Sequence, residues 1–314
     1  MNTRQTPMDL EHSGRSQIVL AINPTSGRGG GKLAVDEVEN RLTQAGFEVL
    51  RSTDIEEIVA LATQSFEGCR LRAVVSAGGD GTIGLLADRL PPSIPFALLP
   101  QGTENLLAKY LGIPTGSAAA TAELITSNRI AKLDVGSANG RLFLIMAGVG
   151  FDADVVRRLH KNRTGPIRHW YYFWPIWQAI REYRYPKLDI VVDGQSLGSR
   201  PTWAFVFNVP RYALNLQIVP EANAQDGLLD LRTFQKGNLL NGLSYVAAVL
   251  FRQHRSLKTT NYRRGSTIRI ESAEPVPIQI DGDPGGNLPV EIRVIPDRLS
   301  VFVPESFSGQ LANQ

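Results

Sequence analysis

An acid, a hydroxyl and three glycines stand at the end of one apolar run: Gly78, Gly79, Asp80, Gly81 and Thr82 follow Ala73 to Ala77. Small and β-branched residues bounded by glycine read as a buried strand of an α/β sheet. Glycines at its end let bare backbone N–H groups approach a ligand. Asp80 and Thr82 add a charge and a hydroxyl beyond the carboxyl end of the strand, where open α/β sheets bind ligands. The chemistry favoured is phosphate binding with an acid built in. The same residues also suit a plain Gly-rich turn into a helix.

Other loops carry similar chemistry. Gly102-Thr103-Glu104-Asn105 follows the core-type run Phe96 to Leu99 and opens a helix. The unpaired N–H groups and positive dipole end there suit a phosphate or a metal-bound anion. Pro220 to Asp230 is rich in oxygen donors of the kind Mg²⁺ or Ca²⁺ takes; an Asx-turn before a strand explains it equally well. Asp281 and Asp283 stand two apart after Ile278 to Ile280. Close carboxylates hold a metal or leave one free as a general base, and Asp-Gly is also an ordinary hairpin turn.

Two Gly-rich stretches point elsewhere and fail. Ser26 and Leu33 occupy the first and last positions of a Walker A pattern that requires Gly and Ser or Thr, which disfavours a P-loop NTPase. Gly148-Val149-Gly150-Phe151-Asp152-Ala153 fits a dinucleotide fingerprint, but no acid follows on a second strand about 20 residues later.

These loops need elements to position them. Strands are expected at 17–24, 47–53, 71–77 and 96–99. Helices are expected at 32–45, 54–66 (N-cap Thr53 or Asp54), 82–90, 104–111 and 115–127. That alternation predicts a parallel, doubly wound sheet. After about residue 130 period-2 segments take over, at 132–138, 141–149, 187–193, 202–208, 228–233, 266–272, 276–281, 290–295 and 299–303. Helices at 152–160, 170–182 and 237–253 interrupt them. The expected order is a disordered leader (1–16), an α/β nucleotide-binding domain (17–131), a mainly antiparallel β domain for the substrate (132–305) and a tail (306–314).

Composition narrows the class. The 314 residues are 43% hydrophobic and 20% charged, as in a soluble globular protein, and net charge is only +3. A lone Cys69 excludes a disulfide framework, and the four histidines lack metal-ligand spacing. No apolar h-region or spanning run is visible, so a cytoplasmic protein is expected.

In chain order stand Asn23-Pro24-x-Ser26-Gly27, Gly78-Gly79-Asp80-Gly81-Thr82, Gly102-Thr103-x-Asn105, Gly148 to Ala153, Asp226-Gly227-Leu228-Leu229-Asp230 and Asp281-Gly282-Asp283-Pro284. Each is modest alone; as an ordered set over about 17–305 they resemble the diacylglycerol kinase catalytic family, in its soluble bacterial branch. The resemblance implies an NAD kinase-like α/β domain, a C-terminal β-sandwich, and ATP- and Mg²⁺-dependent phosphorylation of a lipid hydroxyl. It puts ATP on Gly78, Gly79, Asp80, Gly81, Thr82, Ile83 and Gly84, with Asn23, Thr53, Gly102, Thr103 and Asn105 nearby. It puts Mg²⁺ on Asn223, Asp226 and Leu228, and catalysis on Asp283, with Asp281 and Asp80 beside it. Arg28, Lys32 and Lys109 are further candidates for phosphate or head-group contact.

The chain departs from the family pattern at three places. Asp283 stands where a glutamate is common, Gly84 and Leu85 where Asn-Glu is frequent, and Leu106 where an aspartate often follows Asn105. Those changes motivate a non-catalytic lipid or nucleotide sensor as one rival. An NAD kinase-like enzyme is the other, through Gly-Gly-Asp-Gly. Arg157 to Lys187 mixes eight basic residues with one acid and three of the four tryptophans, which suits an anionic membrane surface; a helix packed on the β domain suits it as well. A second basic stretch runs from Arg252 to Arg264. The expected partners are a lipid substrate and the inner membrane surface, bound peripherally through 157–187. No nucleic acid is expected, and a homodimer is left open.

Overall fold

The computed structural model describes residues 14–26, 31–161, 182–212, 216–237, 241, 244, 245, 248, 259–309 and 311. Most of the expected leader, all but the last residue of the expected helix at 170–182, and most of that at 237–253 lie outside the described residues. Two compact units form, one of residues up to Leu133 together with those from Asp297 on, the other Asp134–Pro296.

The first unit alternates strand and helix. Its elements are β1 (Gln17–Ile22), α1 (Gly31–Gln44), β2 (Glu48–Ser52), α2 (Ile55–Glu67), β3 (Leu71–Gly78), α3 (Asp80–Arg89), β4 (Phe96–Pro100), α4 (Leu106–Leu111) and α5 (Ala118–Ser127). The strands pair in parallel in the order β2-β1-β3-β4. Every residue of β3 and β4 is buried, which is why both read as mainly apolar runs, broken in β3 by Arg72 and Ser76. Asp54 is the N-cap of α2, its side chain accepting from Glu57 N at 2.9 Å.

The second unit is antiparallel. β5 (Ile130–Ala138) enters it, followed by β6 (Arg141–Phe143), β7 (Met146–Val149), α6 (Phe151–Lys161), β8 (Asp189–Val192), β9 (Gln195–Ser196), β10 (Trp203–Phe207), β11 (Leu229–Phe234), β12 (Thr260–Gly265), β13 (Thr267–Glu271), β14 (Pro277–Ile280), β15 (Asp283–Asn287) and β16 (Val290–Phe302). One sheet runs β12-β11-β10-β7-β14-β15; β13 pairs with β8 and with β16 in another. Alternate residues of both sheets, such as Ile190 and Val192, Leu229 and Leu231, Ile268 and Ile270, Ile278 and Ile280, bury one shared core. That is a β-sandwich.

Three expectations change. The strand expected at 141–149 is two, because Leu144 and Ile145 turn out of the ladder and give their amides to Asp281. The strands expected at 290–295 and 299–303 are one, β16, which continues through Pro296 and a left-handed Asp297 (φ 52°). The expected second domain reached residue 305, whereas residues from Asp297 on group with the first unit, where Val301 pairs with Phe96 of β4. Among the described residues, no helix is long and apolar enough to cross a membrane.

Candidate active site

In the first unit the sheet delivers two glycine loops to one place. Gly79 follows β3 and Gly102 follows β4; a Cβ on Gly102 would lie 2.6 Å from Gly79 Cα. Asn105 ties the second loop to itself, accepting from Gly102 N and donating to Gly102 O, each at 2.8 Å. Its left-handed backbone (φ 50°) turns the chain directly into α4. Gln101 Nε2 donates to Gly31 O at 3.0 Å, drawing the start of α1 to the same loops.

Asp80 is the first residue of α3, yet its side chain serves α4. Its two oxygens accept from Leu106 N at 2.8 Å and Leu107 N at 3.0 Å. Burial pushes its carboxyl up, and those two amide bonds pull it back. Asp80, expected beside the catalytic acid, thereby holds two loops together. The first turn of α3 has no side-chain cap; Thr82 N donates to Gly79 O at 3.0 Å, and the amides ahead of it stand at a helix start of the kind that binds anions. Thr82 Oγ1 accepts from Asn23 Nδ2 at 2.9 Å and keeps its own proton to donate.

A pocket opens beside that turn. Asn23, Thr53, Gly81 and Thr82 line it with Ile22, Ile55, Ile58, Leu85 and Leu86. Thr103 is exposed on its loop, and a Cβ on Gly84 would face open space. Ile83 turns its side chain into the core, which leaves only its backbone for a nucleotide. Ile55 and Ile58 of the apolar wall were not singled out from sequence; Leu85, noted there only as a departure from the family pattern, joins them and is 45% exposed. Lys109 lies 3.8 Å from Glu104, and Arg28 is outside the described residues.

The second unit carries the acidic turn. Asp281, left-handed at φ 48°, spends its carboxylate on three amides: Leu144 N at 2.7 Å, Ile145 N at 3.0 Å and Met146 N at 2.9 Å. Asp281, expected beside Asp283 in catalysis, thereby shapes the turn that carries Asp283. Asp283 is exposed, with Arg141 Nη2 at 3.4 Å and His160 Nε2 at 3.3 Å. A buried relay supports it. Tyr212 Oη and Gln279 Nε2 donate to Asp152, and Gln279 Oε1 accepts from Gly282 N at 2.8 Å. Burial pushes the Asp152 carboxyl up, opposed by the bonds from Tyr212 and Gln279.

Asn223, Asp226 and Leu228 share one loop of the second unit and offer the oxygen donors of a hard cation. Asp226, however, is already engaged. One oxygen accepts from Leu228 N at 3.1 Å and the other is paired with Arg264. Among the described residues, no three acidic, His or Cys side chains converge on a metal position. As folded, with Asp226 held by Arg264, this donor set does not fit a divalent cation. Of the basic residues expected to face a membrane, Arg158 is paired with Asp154 (2.6 Å) and Glu182 (2.7 Å), Arg157 is paired with Asp154, and residues 162–181 lie outside the described residues.

A parallel α/β unit with glycine loops at its strand ends, joined to a β-sandwich, defines the architecture of the NAD kinase-like kinases. Residues 17–138 match the diacylglycerol kinase catalytic domain, and residues 145–303 match the YegS C-terminal NAD kinase beta sandwich-like domain. The chain belongs to the diacylglycerol kinase catalytic family, and its class is that of the lipid kinases. A diacylglycerol kinase of Bacillus subtilis is 26% identical over 302 residues, 93% of this chain and 98% of that one. One of Mycobacterium tuberculosis is 28% identical over 300 residues, 92% and 95% of the two chains. A diacylglycerol kinase crystal structure from Bacillus anthracis is similar at a TM-score of 0.67 and 21% identity, covering 93% and 98%. Yeast NADH kinase shares the fold alone, at a TM-score of 0.52 and 14% identity, covering 94% and 85%.

Proposed function

We propose that this chain transfers the γ-phosphoryl group of ATP, accompanied by Mg²⁺, to the hydroxyl of a membrane lipid, with diacylglycerol as the favoured acceptor. The observation that carries the reading is the junction of Gly79 and Gly102 beside the uncapped turn of α3. Phosphoryl transfer asks a protein mainly for positioning and charge neutralisation. The amides of Gly79 to Gly81 bind phosphate oxygens, with Thr82 Oγ1 as a further donor. Asn23 and Thr53 supply polar contacts, and Ile55, Ile58 and Leu85 an apolar wall for the base. Asp283 accepts the proton of the acceptor hydroxyl as its oxygen bonds to phosphorus and ADP departs. Arg141 and His160 orient that carboxylate. The enzyme works in the cytoplasm, at the inner membrane surface, where hydroxyl-bearing lipids are found.

The test supplies γ-labelled ATP and Mg²⁺ with mixed micelles of diacylglycerol, monoacylglycerol, sphingosine and ceramide, with NAD in a separate soluble reaction. Label in diacylglycerol, lost in Asp283→Asn, supports the reading in full. Label in another lipid changes the acceptor only. Label in NAD makes the protein a small-molecule kinase, and bound ATP with no transfer makes it a sensor.

A further inference from the structure

The loop at 220–230 carries its own cation. In the register of β11 and β12, Asp230 stands directly opposite Arg264, a cross-strand pair whose side chains share one face. The Arg264 guanidinium reaches Asp226 Oδ2, and its Nε lies 3.4 Å from Asp230 Oδ1. Tyr262, two residues away on the same strand, donates its hydroxyl to that same Asp230 oxygen.

The charges call for a cation. Asp230 is fully buried, and its Oδ2 has no hydrogen-bond partner among the described residues. Glu221 and Asp226 add negative charge around it. A buried carboxylate is costly unless positive charge answers it. A guanidinium stays charged at any working pH, and its planar fork can bridge two carboxylates. A divalent metal would compete with Arg264 for Asp226 Oδ2.

We infer that Arg264 is a resident cation that takes the place of a divalent metal on this loop, so that the chain orders residues 220–230 without metal. The inference is independent of which acceptor is phosphorylated. Removing the guanidinium takes the cation away from Asp226 and Asp230 and opens the position to a metal.

Thermal unfolding of the full chain without nucleotide, titrated with MgCl₂ to about 10 mM, is the test. The wild-type Tm stays fixed. Arg264→Gln unfolds lower without metal and regains about 4 °C or more, saturably, as Mg²⁺ binds the folded form. A wild-type Tm that climbs saturably with Mg²⁺ overturns the inference, and so does an Arg264→Gln protein indifferent to Mg²⁺. Should Arg264→Gln fail to fold, Mn²⁺ binding to the wild type, followed by paramagnetic resonance, decides. No Mn²⁺ bound in a manner sensitive to Asp226→Asn agrees with a resident cation, and bound Mn²⁺ released by Asp226→Asn contradicts it.

Discussion

Gly79 and Gly102 meet backbone to backbone, so close that a methyl group on Gly102 would stand 2.6 Å from Gly79 Cα and 2.8 Å from Asn105 Oδ1. Neither obstacle is the loose end of a long side chain, so the loops must part to admit it. Gly102→Ala should therefore cost about 1–3 kcal/mol of stability. It should also weaken ATP binding at least tenfold by calorimetric titration. A variant with unchanged stability and affinity would show that the two loops need not touch.

Asp281 and Asp283 should separate cleanly by what their loss does. Asp281→Ala strands three amides that share one carboxylate, and should cost about 2–4 kcal/mol in urea unfolding. Asp283→Asn removes an exposed charge and should leave stability near wild type, while kcat falls 10²-fold or more with little change in KM for ATP. Equal loss of stability in both variants would contradict this division of labour.

Stability should fall with rising pH through Asp152. Its folded carboxyl lies above the ordinary value of about 3.9 because it is buried. The folded state thus keeps a proton that the unfolded state has lost. Stability present below the unfolded value is lost as pH rises from there to the raised folded value, by at most about 1.4 kcal/mol per unit. Asp152→Asn should flatten that slope; Asp230, also raised by burial, contributes with the same sign and remains. Urea unfolding between about pH 4 and 8 measures it, and an unchanged slope in the variant would contradict it.

Much of the first unit was legible because β3 and β4 are buried on both faces and end in glycine. A mainly apolar run followed by Gly78-Gly79 or Gly102 signals both strand and loop without knowledge of neighbours. The roles of the acids were not legible. Asp80 and Asp281 look like free carboxylates in sequence, but their partners are Leu106 and Leu107, or Leu144 to Met146, brought in by tertiary folding. Arg264 was visible only as part of a basic stretch; its role depends on the β11–β12 register, which fixes Asp230 opposite it. The gap expected between 290–295 and 299–303 closes in β16, whose first half pairs with β13 and whose Val301 pairs with Phe96 of β4, partners that local sequence does not show.

That the bare first turn of α3 receives the phosphates of ATP is tested most directly at Gly81. A methyl group there meets no described atom within 4 Å, and alanine favours a helix over glycine by up to about 1 kcal/mol. Gly81→Ala should fold at least as stably as the wild type and lose ATP affinity at least tenfold in a calorimetric titration. Wild-type affinity in that variant would contradict the assignment of this turn as the phosphate site.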